Sequence, residues 1–160
     1  MIGSGPAPLA HWSLIRRDTG LVVINDLRIA DGYWSKLAGL QFRAALPAGQ
    51  ALLLVNSGSV HTFWMRFAID VVYLGGEGRV LSVRRQVPPW RVVFGPRGTH
   101  SVLEMTAGWL DIEAGVRLTA VCSSEQGMLR HKRSLSFLGP VAASGRRNIQ
   151  KRMASERQNA

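Results

Sequence analysis

His61, Thr62, Asp70 and Glu104 are the side chains whose types and surroundings suit them best for chemistry in this 160-residue chain. Read as a strand, Ser59 to Met65 puts Ser59, His61, Phe63 and Met65 on one face and Val60, Thr62 and Trp64 on the other. An imidazole beside Thr62 and near Asp70 can be oriented by a hydroxyl or a carboxylate, which is how a general base or a metal ligand is held. The competing reading is a half-buried histidine bonded to backbone. Only Arg66, Phe67, Ala68 and Ile69 separate this stretch from Asp70 to Leu74. That is a hairpin-length connection, so His61 and Asp70 are expected to line one cleft.

Asp70 leads into Val71, Val72, Tyr73 and Leu74, surroundings that desolvate a carboxylate, although an aspartate at a strand entry also bonds loop amides. Glu104, flanked by Leu103 and Met105, alternates off their face toward solvent or an arginine. His100 or Glu104 would have to complete any three-ligand site with His61, but the spacing is no metal motif, and neither metal nor cofactor is expected. Ser57 and Ser59 supply nucleophile types without a G-x-S-x-G elbow. Gly75, Gly76 and Gly78 lack the Gly-Lys-Ser/Thr of a phosphate loop and read as turn glycines. Trp64, Trp90 and Trp109, with Phe63 and Phe67, have the makings of an apolar pocket or a carbohydrate-stacking platform. Trp34 and Trp64 are assigned to the core, and Trp90, following Pro88 and Pro89, to the surface. The candidate ligand cleft therefore comprises His61, Thr62, Asp70, Trp90 and Glu104.

The elements that must position these residues are mostly short strands. Trp12 to Ile15 and Leu21 to Ile24 flank an Asp-x-Gly turn and predict a hairpin. Asp31 can cap a helix over about residues 32–42 carrying Trp34, Leu37, Ala38 and Leu40. Ala51 to Val55 is too short for a helix and reads as a buried strand. The glycine-rich turn at 75–78 joins Asp70 to Leu74 with Arg79 to Arg85, the clearest hairpin in the chain. Residues 91–94, His100 to Met105 and Val116 to Cys122 complete the set. Short strands punctuated by Gly and Pro, with one short α-helix, predict a mainly β fold: a small β-barrel or a jelly-roll-like sandwich.

Charge divides the chain unevenly. Residues 1–125 hold 12 Lys and Arg against 9 Asp and Glu, net +3, whereas residues 126–160 hold 8 against 1, net +7. At a net charge of +3 the body by itself is ordinary and gives no basic-patch expectation for nucleic acid. The tail, with Arg130, Lys132, Arg133, Arg146, Arg147, Lys151, Arg152 and Arg157, is the candidate for weak contact with nucleic acid or an acidic partner. Three parts are expected: a flexible leader over 1–10, one β domain over 11–125, and a disordered tail over 126–160 that folding does not need. Cys122 is the lone cysteine, which rules out an internal disulfide. Lacking a secretory signal pattern or a membrane-spanning run, the chain is expected in the cytoplasm.

Three blocks carry a resemblance over roughly Leu27 to Val121: WSKLAGLQFRAALPAGQALLL at 34–54, SVHTFWMRFAIDVVYL at 59–74 and HSVLEMTAG at 100–108. In their order they resemble the uncharacterised family known as domain of unknown function 192. The resemblance implies a compact β structure of barrel or jelly-roll type and implies no activity. Two departures stand out: Ser57 occupies a position where many members carry Cys, and Val116 one where Asp is usual. The resulting expectation is a noncatalytic domain binding a small ligand or peptide. The alternatives are a hydrolytic enzyme using His61 and Asp70, with or without a metal, and a protein that works through its basic tail.

Overall fold

The computed structural model describes residues 11–30, 46–109, 112–123, 135–138 and 142–143. The helix expected at 32–42, the leader and the tail arginines and lysines lie outside the described residues.

Strands β1 (Trp12–Arg16) and β2 (Val22–Ile24) form the expected hairpin, closed at Gly20, whose φ of 69° needs no Cβ. Strand β3 (Asp26–Ala30) pairs in parallel with β4 (Gln50–Val55), an arrangement that needs a long crossover between them. After β5 (Ser59–His61), β6 (Ile69–Leu74) and β7 (Val80–Val87) make the hairpin across the 75–78 turn. Strands β8 (Val92–Phe94), β9 (Ser101–Thr106), β10 (Leu118–Cys122) and β11 (Ala142–Ala143) follow.

These strands assemble into three sheets. The largest has the order β3-β4-β9-β6-β7, the second β11-β10-β1-β2, and the third is the pair β5-β8. On one face of the large sheet Leu53, Val55, Val72, Leu74, Leu103 and Met105 pack against Leu14, Ile24, Leu118 and Ala120 of the second sheet. On the other face Leu52, Leu54, Val71, Tyr73 and Val102 meet Val60, Met65, Phe67 and Val93 around the small sheet. Covered on both sides, β4 and β6 carry near-continuous apolar runs instead of alternating ones.

The mainly β expectation holds, but barrel closure is not found among the described strands. The large sheet keeps two edges, β3 and β7, and β7 carries exposed Arg84, Arg85 and Gln86, charge of the kind that keeps an edge from pairing further. An isolated bridge between Arg79 and Arg117 links a corner of the two larger sheets. The two are layered.

Part of the expected tail belongs to the folded body. Leu135 and Leu138 are fully buried in the first core and Phe137 is 9% exposed. Phe137 stacks on His100 with centroids 4.3 Å apart, and the Leu138 carbonyl accepts from Arg17 Nη2 at 2.7 Å. Beneath them Gly78 has a φ of 67°, and a Cβ there would run into the Leu118 carbonyl and press on Leu138. The thinning of apolar residues beyond Ser123 hid this docking, because three well-placed side chains suffice.

Candidate functional site

Thr62 organises the ground on which the site stands. It is completely buried, and its Oγ1 donates to the Pro88 carbonyl at 2.8 Å while accepting from the Arg91 amide at 2.9 Å. Its own amide donates to Arg91 O, and its carbonyl accepts from the Trp90 amide at 3.0 Å. One threonine thus ties the segment after β5 to the segment before β8.

Two tryptophans ride on these tied segments, and both have left-handed backbone: φ is 64° at Trp64 and 63° at Trp90. Bulky residues rarely adopt this conformation, which costs of order 1–3 kcal/mol and persists only where surrounding structure enforces it. The Thr62 bonds provide that enforcement at Trp90, and at Trp64 the Met65 amide closes the turn by donating to the Thr62 carbonyl at 3.4 Å. The turn at Trp64 also ends the strand early, so β5 stops at His61 and the face alternation expected through Met65 fails. Met65 goes into the core, and Trp64, expected there, is 54% exposed.

The outcome is a continuous apolar surface. Trp64 and Trp90 meet edge to face with centroids 4.8 Å apart, Phe63 lies 5.9 Å from Trp90, and His61 stacks on Phe63 at 5.2 Å. On β8, Val92 pairs with His61 and Phe94 with Ser59, so both point to this same outer side while Val60 and Val93 face the core. Phe63, Trp64, Trp90, Val92 and Phe94 are all exposed. His61 itself is half-buried, and its Nδ1 is shielded from solvent without a hydrogen-bond partner among the described residues. The small sheet is seated firmly below: a Cβ on Gly95 would fall 2.5 Å from the Tyr73 ring, so only glycine lets β8 end against that tyrosine.

The remaining predicted site residues do other work. Strand β5 pairs with β8 while β6 pairs with β7 and β9, so the hairpin expected to join His61 with Asp70 does not form. Asp70 is 1% exposed; Oδ1 accepts from the Gln86 amide at 2.8 Å and Oδ2 from the Gly108 amide at 2.9 Å. It fills the register shift between Ile69 and Val71 and holds Gln86 at a φ of 53°, with Arg85 Nη1 3.9 Å away. Asp70→Asn places an amide N–H₂ against one of two backbone N–H groups, and the expected cost is about 2–3 kcal/mol by urea denaturation. A change below about 0.5 kcal/mol would mean that Asp70 does not clamp these strands.

Glu104 is likewise buried, at the centre of the large sheet between Leu52 and Val71 on the Val102 face, so the expected outlook toward solvent is corrected. Burial drives its carboxyl up from an ordinary 4.5 to about 8. Burial likewise raises the Tyr73 phenol, against the opposing influence of Arg84. His100 is engaged elsewhere, with Phe137 and with Ser101 Oγ at 2.8 Å. Ser57 Oγ donates to the Ser59 carbonyl. Among the described residues no group of three His, Cys, Asp or Glu side chains could hold a metal ion.

Sequence reasoning grouped Phe63, Trp64 and Trp90 as a candidate apolar or stacking surface and named His61 and Thr62 beside it, but it favoured the core for Trp64 and did not single out Val92 or Phe94. The usable signal was Trp90 following two prolines; nothing in the alternation of 59–65 announced a left-handed tryptophan.

A family model described as "Uncharacterized ACR", domain of unknown function 192, matches residues 14–120. The chain belongs to this family. The match takes in the first hairpin as well as the three blocks quoted above. Among relatives of this DUF192 domain, a UPF0127 protein of Thermococcus sibiricus is 26% identical over 102 residues, covering 61% of this chain and 66% of that protein, just under two thirds of its length. The UPF0127 protein PH1112 of Pyrococcus horikoshii is 29% identical over 96 residues, covering 52% of this chain and 83% of its own. A crystal structure of a protein of unknown function from Novosphingobium aromaticivorans superposes with a TM-score of 0.58 at 17% identity, over 67% of this chain and 81% of that one. That likeness is one of fold.

Proposed function

We propose that this DUF192 domain is a noncatalytic binding module whose ligand lies across the exposed aromatic face carried by β5, β8 and the segments beside them. The observation behind the reading is the pair of exposed tryptophans held in left-handed backbone by a buried threonine. Strain of this kind is kept where a side chain must be presented, and a contiguous exposed apolar patch marks an interaction surface. In this reading His61 and Trp90 touch the ligand, Thr62 positions the platform, and Asp70 and Glu104 serve the sheet below. Among the described residues no hydroxyl, imidazole and carboxylate converge as a hydrolytic mechanism would require.

The reading is tested by titrating the full chain with a library of small planar and apolar fragments while following the indole N–H signals by NMR. Binders are expected to move the Trp64 and Trp90 signals, and Trp90→Ala should weaken them at least fivefold with little change in unfolding midpoint, since its side chain is half in solvent. Fragments that shift only the buried Trp12, or that bind Trp90→Ala unchanged, would defeat it.

A further inference from the structure

Among the described residues, the charges next in sequence to the aromatic face are all of one sign. Arg66 follows Trp64 by two residues, Arg91 follows Trp90 directly with Nη1 donating to the Trp90 carbonyl at 3.1 Å, and Arg97 lies three residues beyond Phe94; all three are exposed. From Asn56 to His100 only two acidic residues occur. Asp70 is buried against backbone amides, and Glu77 lies at the far hairpin turn, 3.4 Å from Arg117. A ligand seated on these rings therefore meets cations and, among the described residues from Asn56 to His100, no exposed carboxylate. The same surface is poor in the side chains that grip sugar hydroxyls: Asn, Gln, Asp and Glu are missing from both 59–67 and 88–98, and the Thr62 hydroxyl is committed to backbone. The ligand that matches is flat, apolar on its faces and anionic along its length.

Resting on the proposed binding module, we infer that the ligand is a single-stranded nucleic acid, with bases stacked on Trp64, Trp90 and Phe94 and phosphates held by Arg66, Arg91 and Arg97. Stacking on aromatic platforms beside basic side chains is how single strands are bound without regard to sequence, since every base offers a π face. On β8 Val92, paired with His61 of the neighbouring β5, lies between the Trp90 end and Phe94. Rings at both ends of this line, with an apolar side chain and the imidazole between them, suit an extended strand. A duplex, with its base faces already stacked, has little to give it.

The test uses the full chain with a twelve-nucleotide oligo-dT and oligo-U, the matching duplex, and poly-glutamate, followed by tryptophan fluorescence and by affinity at several salt concentrations. Single strands are expected to quench the fluorescence, and Trp90→Ala and Trp64→Ala should each weaken binding roughly tenfold or more. Replacing Arg66, Arg91 and Arg97 together by Gln should lower the logarithmic salt slope by roughly 2. Replacing Arg146, Arg147, Lys151, Arg152 and Arg157 by Gln should reduce overall affinity for any polyanion while leaving the quenching in place. Equal quenching by duplex or by poly-glutamate would overturn the inference, as would single-strand binding that survives the tryptophan replacements. If fragments bind the platform but oligonucleotides do not, the inference fails and the binding module stands. If neither binds there, both fail.

Discussion

Cutting the chain after Glu125 is expected to lower the unfolding midpoint by about 15 °C or more, or to prevent folding altogether. Leu135, Phe137 and Leu138 fill the first core beside Leu118 and Val80, and each large-to-small change at such a site costs about 2–5 kcal/mol. Losing all three together removes a large share of the 5–15 kcal/mol by which a domain is stable. Polar losses add to this: Arg17 Nη2 and Thr119 Oγ1 both donate to the Leu138 carbonyl, at 2.7 and 3.3 Å. Leu138→Ala in the full chain should by itself cost about 3 kcal/mol, and Gly78→Ala should destabilise through the Leu118 carbonyl and Leu138. Calorimetry of the truncated and full chains decides. A midpoint within about 3 °C of the full chain would show that residues 135–138 are not part of the core.

Glu104→Gln is expected to stabilise the domain at neutral and alkaline pH and to do so progressively less as pH falls. The folded carboxyl keeps its proton up to about 8, whereas the unfolded one releases it near 4.5. Below pH 4.5 both forms are protonated and the group contributes nothing. Between 4.5 and 8 the folded state binds the extra proton, so stability falls as pH rises. Above 8 the folded carboxylate is ionised and the penalty is constant, on the order of 4–5 kcal/mol. Exposed Arg28 and Arg84 stand in register with Glu104 along the same cross-strand row, two strands away on either side. At that separation and exposure they offset little of the desolvation. His100 titrates too, its imidazole lowered by burial, so its protonation below the ordinary 6.5 destabilises the folded state as the pH is made more acid. That contribution is common to wild type and variant and cancels in their difference. Urea denaturation of both proteins from pH 4.5 to 9 should give a difference that grows by several kcal/mol up to about pH 8 and then levels. Parallel profiles would mean that Glu104 is ionised in the folded state.

Much of the fold is legible in the sequence wherever the physics is local. The Asp-x-Gly turn and the run at 75–78 specify their hairpins through glycines at positive φ, at Gly20 and Gly78, with partner strands only a few residues away. The continuous apolar run from Ala51 to Val55 announced a strand buried on both faces for the same reason: its composition states its burial. The three quoted blocks were enough for the family.

What only the tertiary structure decided were the choices made between distant parts of the chain. Whether β5 would pair with β6 or with β8 could not be read from either strand, since both pairings satisfy its residues; the short link favoured the first, and the Thr62 bonds to Pro88 and Arg91 select the second. That choice carried the chemistry with it, moving Asp70 from a cleft to a clamp on Gln86 and Gly108 and turning Trp64 outward. Glu104 had the sequence of a surface residue because alternation tells which face a side chain takes and not what covers that face. Leu135 to Leu138 looked too sparse to fold because the free energy of docking depends on the cavity that receives the side chains, and that cavity is built by distant residues such as Gly78 and Leu118.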